Sequence, residues 1–300
     1  MIKGFIQKMT SSLLSLMAYL PLGMLYILSD ILRFLLQYII RYRKRVIYGN
    51  LQRSFPEKTP AELRKIAHSF YHHLSDCIVE CIKLLHLSDQ ELERRVTVNG
   101  GEIVEELASD GNPVILFVGH YGNWEWAQQV TRQYKIPPIT VEIYRPIKNR
   151  ALDEMMFRVR SKYGNLPVPQ KLAVRKLLKM NKEGKQFLVA LVADQRPNSK
   201  NLYHWTTFLH QDTAYAVGGE EIGRRIKAHY VFLYVEKKRR GYYKMEFQKM
   251  DIRKMPADET YPFTKRYLQL MEAMICKAPE YWLWSHNRWK YDREGNKIHK

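Results

Sequence analysis

Two short, uninterrupted apolar runs, at residues 113–119 and 187–193, constrain this chain more than any other feature. A third run, at 139–144, is rich in β-branched residues. Each is too short for a core helix, and apolar runs of this length suit strands buried on both faces. Helical patterns separate them, at 123–134, 149–163 and 174–181. Segments 230–236 and 242–249 flank Arg239-Arg240-Gly241 and read as an antiparallel hairpin, with a long helix following at 258–276. Strands alternating with helices predict an α/β fold with a largely parallel central sheet flanked by helices. Nothing between residues 46 and 300 reads as a linker, a repeat or a low-complexity tract, so that stretch is expected to form one body. Its first long helix, about 60–85, opens with Thr59 as cap, Pro60 at the first position and Glu62 three residues after the cap. His68, His72 and Asp76 recur on one of its faces, a row that reads as hydrogen-bonded more readily than as a metal site.

Ahead of this body, residues 13–28 are almost uncharged. Asp30 and Arg33 follow, spaced to pair on a helix. Another apolar run, 34–40, leads into Arg41, Arg43, Lys44 and Arg45. About 20 apolar residues cross a bilayer, so this stretch is marginal for spanning and adequate for lying in the interface. The basic cluster predicts a cytoplasmic flank attracted to anionic headgroups. No small-residue cleavage site is evident, which favours a retained segment over a removed signal peptide. Residues 1–45 are therefore expected to be a membrane anchor with its basic flank. The net charge of +19 favours anionic partners. Cys77, Cys81 and Cys276 form no CxxC pair and no zinc-ligand spacing.

The polar residues that end the three apolar runs are His120, Arg145 and Asp194. In open α/β sheets ligands bind beyond the carboxyl ends of the strands, so pattern alone gathers these three at one rim. The first turn, Gly119-His120-Tyr121-Gly122-Asn123-Trp124-Glu125, is the most informative. Its spacing lets Glu125 accept a hydrogen bond from one imidazole nitrogen, leaving the other as a base. A helix starting here would present amides suited to an oxyanion or a phosphate.

Taken with its surroundings, that turn resembles the H-x4-D/E motif of the bacterial lipid A biosynthesis acyltransferases, relatives of the glycerolipid acyltransferases. The resemblance covers most of the chain. It includes the apolar start, then Asn50-Leu51-Gln52-Arg53-Ser54-Phe55-Pro56-Glu57, then Tyr144-Arg145-Pro146 with Lys148-Asn149. Arg160 ahead of Gly164 and Asp194-Gln195-Arg196 follow, and the chain closes with residues 279–290, PEYWLWSHNRWK. The resemblance implies transfer of a fatty acyl group from acyl carrier protein or coenzyme A to a lipid hydroxyl at the inner membrane, on its cytoplasmic side, without cofactor or metal. His120 would act as the base with Glu125 holding its ring. Asn123, Arg145, Arg160, Asp194 and Gln195 would contact substrate, Arg145 at a phosphate or beside the oxyanion. Asp194 is open to two readings, as an orienting group for Arg145 or the acceptor, or as an ion pair with Arg196. The family's Phe-Phe-Gly element is replaced here by residues 206–213, TTFLHQDT, a change expected to bear on substrate identity. The acceptor is a lipid A precursor by resemblance, while an amino-acid-containing lipid or a lysophospholipid would need the same base.

Trp282, Trp284 and Trp289 with Arg288 and Lys290 suit either a membrane-interface belt or a packed aromatic core. A basic nucleic-acid-binding protein is the rival of another class, since aromatic and basic residues interleave from Tyr230 to Phe247. The chain holds no recognisable nucleic-acid module, and its apolar start argues against that reading. A hydrolase or metalloenzyme is a weaker rival, because no HExxH, G-x-S-x-G or phosphate-loop motif is present.

Overall fold

The apolar runs become neighbouring strands at the centre of one sheet. In the computed structural model, which describes residues 2–162 and 164–298, β1 is Val96–Asn99, β2 Val114–Val118, β3 Ile139–Tyr144, β4 Leu166–Pro169 and β5 Phe187–Val192. A small hairpin, β6 (Trp205–Phe208) and β7 (Gln211–Ala214), stands apart from the sheet, and β8 (His229–Arg239) and β9 (Tyr242–Lys249) complete it. The seven-stranded order is β1-β9-β8-β2-β5-β3-β4. All pairs are parallel except β8 with β9. All five residues of β2 are buried, as a strand with helices over both faces requires. The expected hairpin is β8–β9, turned at Gly241 with φ +71°. The altered element at 206–213 lies in the hairpin β6–β7.

The helices are α1 (Ile2–Tyr19), α2 (Leu22–Phe34), α3 (Lys44–Ser54), α4 (Pro60–Lys83), α5 (Asp89–Arg95), α6 (Gly101–Ala108), α7 (Arg150–Ser161), α8 (Gln170–Lys182), α9 (Gly218–Arg225) and α10 (Pro262–Lys277). The helix expected at 149–163 is α7, and position 163 lies outside the described residues. A π-helical turn, Leu35–Ile39, extends α2. At the start of α4 the Glu62 amide donates to Thr59 Oγ1 at 3.3 Å and the Thr59 amide to Glu62 Oε2 at 2.8 Å. This is the reciprocal box its sequence predicts, and such a cap contributes about 1 kcal/mol.

Helix α2 has two unlike sides. Leu22, Leu25 and Ser29 are buried, while Met24, Ile27 and Ile31 are each more than half exposed, at 52%, 63% and 53%. The pairing expected between Asp30 and Arg33 does not form, because partners from the body are better placed. Arg240, on the β8–β9 turn, reaches Asp30 at 2.8 Å and buried Asp76 at 2.7 Å. Ser29 Oγ donates to Asp76 at 2.8 Å, and His72 lies between Asp30 and Asp76 at 3.4 and 3.3 Å. Arg33 faces His68 at 3.5 Å. The polar row on α4 is thus the seat of α2. At the other end of the chain, Trp282, Trp284 and Trp289 are 3%, 0% and 3% exposed, so they form a packed aromatic core rather than a surface belt.

Candidate active site

The register of β2 with β5 builds the site. Val118 pairs with Val192, so residues two positions beyond each, His120 and Asp194, leave adjacent strands side by side. His120 Nδ1 lies 2.7 Å from Asp194 Oδ1, and the His120 backbone amide donates to Asp194 Oδ2 at 3.0 Å. The indole of Trp282 donates to the same Oδ2 at 2.7 Å. Burial pushes the Asp194 carboxyl up, but the His120 charge and these donors outweigh it and hold the group below its ordinary range. An ionised Asp194 fixes the proton on Nδ1 and leaves Nε2 as acceptor. That nitrogen faces the Gln195 side-chain amide at 3.1 Å. The ring remains 20% exposed, with the Trp124 ring edge-on at 5.2 Å.

The carboxylate on the imidazole is therefore Asp194, where Glu125 was expected. Asp194 makes neither the expected ion pair with Arg196 nor a contact with Arg145, its oxygens being taken by His120 and Trp282. Glu125 turns instead to Arg160 on α7, 2.9 Å away. Arg160 also lies 4.0 Å from Glu142 of β3, whose other oxygen accepts from Asn165 at 2.7 Å. Burial and the Glu125 charge together push the Glu142 carboxyl up to about 8. Arg160 thus lies between two acids, one of which, Glu142, is pushed toward its neutral form. Burial works against the Arg160 charge, but Glu125 and Glu142 outweigh it and raise its pKa.

Residues 120–125 are held from below and from the C-terminal segment. Gly122 has φ +59°, and a Cβ there would lie 2.8 Å from Val235 Cγ1, so a side chain is disfavoured twice. Its amide donates to the Tyr281 carbonyl at 2.9 Å, and the Leu283 amide donates to the His120 carbonyl at 3.1 Å. Asn123, expected to contact substrate, is buried with both ends of its amide bonded inside the protein. Nδ2 donates to Glu80 at 2.7 Å, and Oδ1 accepts from the Trp126 amide at 3.1 Å. Glu80 is itself buried and also accepts from Tyr243 and Tyr26, at 2.8 and 2.9 Å. The helix expected at 123–134 is a three-ten helix, Trp126–Gln133. Because Asn123 takes up the Trp126 amide, that donor is not available to an oxyanion. Arg145 stands exposed at the same rim.

Residues 3–291 match the bacterial lipid A biosynthesis acyltransferases, nearly the whole chain. The chain belongs to that family. The acyltransferase is also 23% identical, over 282 residues, to the lipid A biosynthesis lauroyltransferase of Escherichia coli (strain K12), a match covering 93% of this chain and 90% of the relative. Its membership sits on the α/β scaffold that the sequence predicts.

Sequence reasoning missed three parts of the acyltransferase site. Glu142 lies inside a run read only as a strand, and its acidic character amid β-branched neighbours was the available signal. Glu80 sits mid-helix in α4 with no motif around it. Trp282 was noticed, but its bond to Asp194 joins residues 88 apart in the chain and has no local signature.

Proposed function

We propose that this acyltransferase moves a fatty acyl group from an acyl thioester, on acyl carrier protein or coenzyme A, to a hydroxyl of a lipid A precursor, with His120 as general base. The observation that carries this reading is the imidazole bound at Nδ1 by ionised Asp194, with Nε2 facing the Gln195 amide and the ring 20% exposed. The acceptor hydroxyl takes the place of the Gln195 amide at Nε2 and gives its proton to that nitrogen as its oxygen attacks the thioester carbonyl. The C–S bond then breaks, and the imidazolium returns the proton to the leaving thiolate. Asp194 stabilises the transient positive ring. Glu125 acts at one remove, by holding Arg160 at the site. Arg145, exposed at the rim, and Gln195 contact substrate, while Asn123 is a positioning residue that ties the loop to Glu80. The match to a lauroyltransferase supports the acceptor class, and the basic surface suits an acidic carrier protein. His120→Ala is expected to lower acyl transfer by about 10²-fold or more. Unchanged turnover of a folded variant, measured by lipid mass spectrometry, would remove His120 from the mechanism.

The same proposal places the enzyme on a membrane, with residues 1–45 as the attaching part and residues 46–300 as the catalytic part. Leu22–Ile39 has a mean hydropathy of 1.4 and is only 17% buried. Its outward face continues through Phe34, Ile39 and Ile40, at 50%, 63% and 62% exposure. Its inward face is bonded to α4 and the β8–β9 turn. A helix committed along one side to a polar body favours an interfacial position, apolar face in the acyl chains and Arg41, Lys44 and Arg45 at the headgroups. On this reading the site works against the cytoplasmic face of the inner membrane. The protein should stay with vesicles after a high-salt wash, and Ile27→Lys with Ile31→Lys should release it. Release of the parent by salt alone would leave only electrostatic attachment.

A further inference from the structure

Arg288 is a buried cation whose guanidinium makes no hydrogen bond among the described residues, with Asp194 as its opposing charge. It is 3% exposed. Burial pushes it down to about 10, with the Asp194 charge opposing, so it stays charged at neutral pH. A buried charge left without hydrogen bonds is costly to hold in a fold. Its neighbours hold it in a fixed place, since the adjacent Trp289 indole donates to Thr213 at 2.6 Å.

A second arginine shares its cleft. Arg196 is half-buried, its Nε also lacks a partner, and its guanidinium stacks over the Tyr291 ring at 5.1 Å. Its Nη1 donates to the Pro197 carbonyl at 3.3 Å. Arg196 and Arg288 line one narrow recess, with Asp212 and Trp289 among its other walls. Asp212 does not answer them, because its two oxygens are taken by Arg293 at 2.6 and 2.9 Å. The recess adjoins the base, since Gln195, next to Arg196, touches His120.

Arg196 and Arg288 line the same recess and the Arg196 charge disfavours that of Arg288, a repulsion that a multiply charged anion bound at both would relieve. Phosphoryl oxygens suit that geometry, being several, strong as acceptors and matched to bidentate donors. We propose that Arg196 and Arg288 form an anion subsite beside the base that receives a phosphoryl group carried by one of the two substrates. Its assignment to a substrate rests on the acyl-transfer reading above. The group is either a phosphate on the lipid acceptor or the phosphodiester in the arm of the thioester carrier.

The test uses the full-length enzyme in detergent. Inorganic phosphate, compared with chloride at matched ionic strength, should raise the melting temperature of the parent and leave Arg196→Ala and Arg288→Met unmoved. Arg196 is half-exposed, so its variant serves even if Arg288→Met fails to fold. An equal phosphate effect in parent and variants overturns the subsite, whether or not any acyl transfer is detected. The substrate arms then name the source. In the parent, kcat/KM should fall at least about tenfold when the acceptor is dephosphorylated, or when acyl-coenzyme A is replaced by an acyl-pantetheine without phosphate. That penalty should vanish in Arg196→Ala. If neither substitution is penalised, or the penalty persists in the variant, the proposal fails.

Discussion

Two carboxyls, buried Asp194 after β5 and partly buried Glu142 on β3, are displaced in opposite directions. Burial raises both. Asp194 meets three donors, the His120 ring, the His120 amide and the Trp282 indole, and stays below its ordinary range. Glu142 has one close donor, Asn165, and shares Arg160 with a second carboxylate, Glu125. It is driven up to about 8. Desolvation alone therefore does not decide whether a buried acid is charged. The number of donors on its oxygens, and whether the nearest cation is already claimed, decide it. One rim thus carries an acid favoured in its ionised form next to the imidazole and an acid favoured in its neutral form next to the guanidinium.

The most severe test of that contrast removes the charge from Asp194. Asp194→Asn keeps the shape but no longer holds Nδ1 as the donor, and should lower kcat by about 10²-fold or more. Glu125→Gln should cost about tenfold, because Glu142 can then ionise and take over Arg160. If Glu125→Gln proves the more damaging of the two, the assistance to His120 has been given to the wrong acid.

Glu142→Gln is the mildest perturbation and reads on stability. Its carboxyl ionises near an ordinary value of 4.5 in the unfolded chain and at about 8 in the folded one. The stability of the neutral form is full below the first value and is lost progressively as pH rises toward the second. The Gln variant lacks this loss. Its melting temperature should gain on the parent by roughly 5–8 °C between pH 5 and 8. Parallel melting curves across that window would mean Glu142 is already charged.

Much of the scaffold was legible in the residues. The apolar runs gave three central strands, Arg239-Arg240-Gly241 gave the β8–β9 turn, and Thr59 to Glu62 gave a helix start. The short strands β1, β4, β6 and β7, four residues each, escaped notice because four residues carry no readable period. At the site, position was readable and partnership was not. His120 and Asp194 were both placed at the rim, yet the partner assigned to the imidazole was the acid five residues away rather than the one 74 residues away.

The sequence by itself determined the α/β class, the apolar N-terminal helix with its basic flank, and the strand ends at which chemistry gathers, because caps, periods and turns act over four or five neighbouring residues. Only the tertiary structure decided which acid faces the imidazole, why α2 is fixed to α4, and that Arg288 is buried with no hydrogen bond on its guanidinium among the described residues. Those contacts join residues far apart in the chain, and they depend on strand order and register, which bring β5 beside β2 and lay the C-terminal tryptophans across the loop that follows β2.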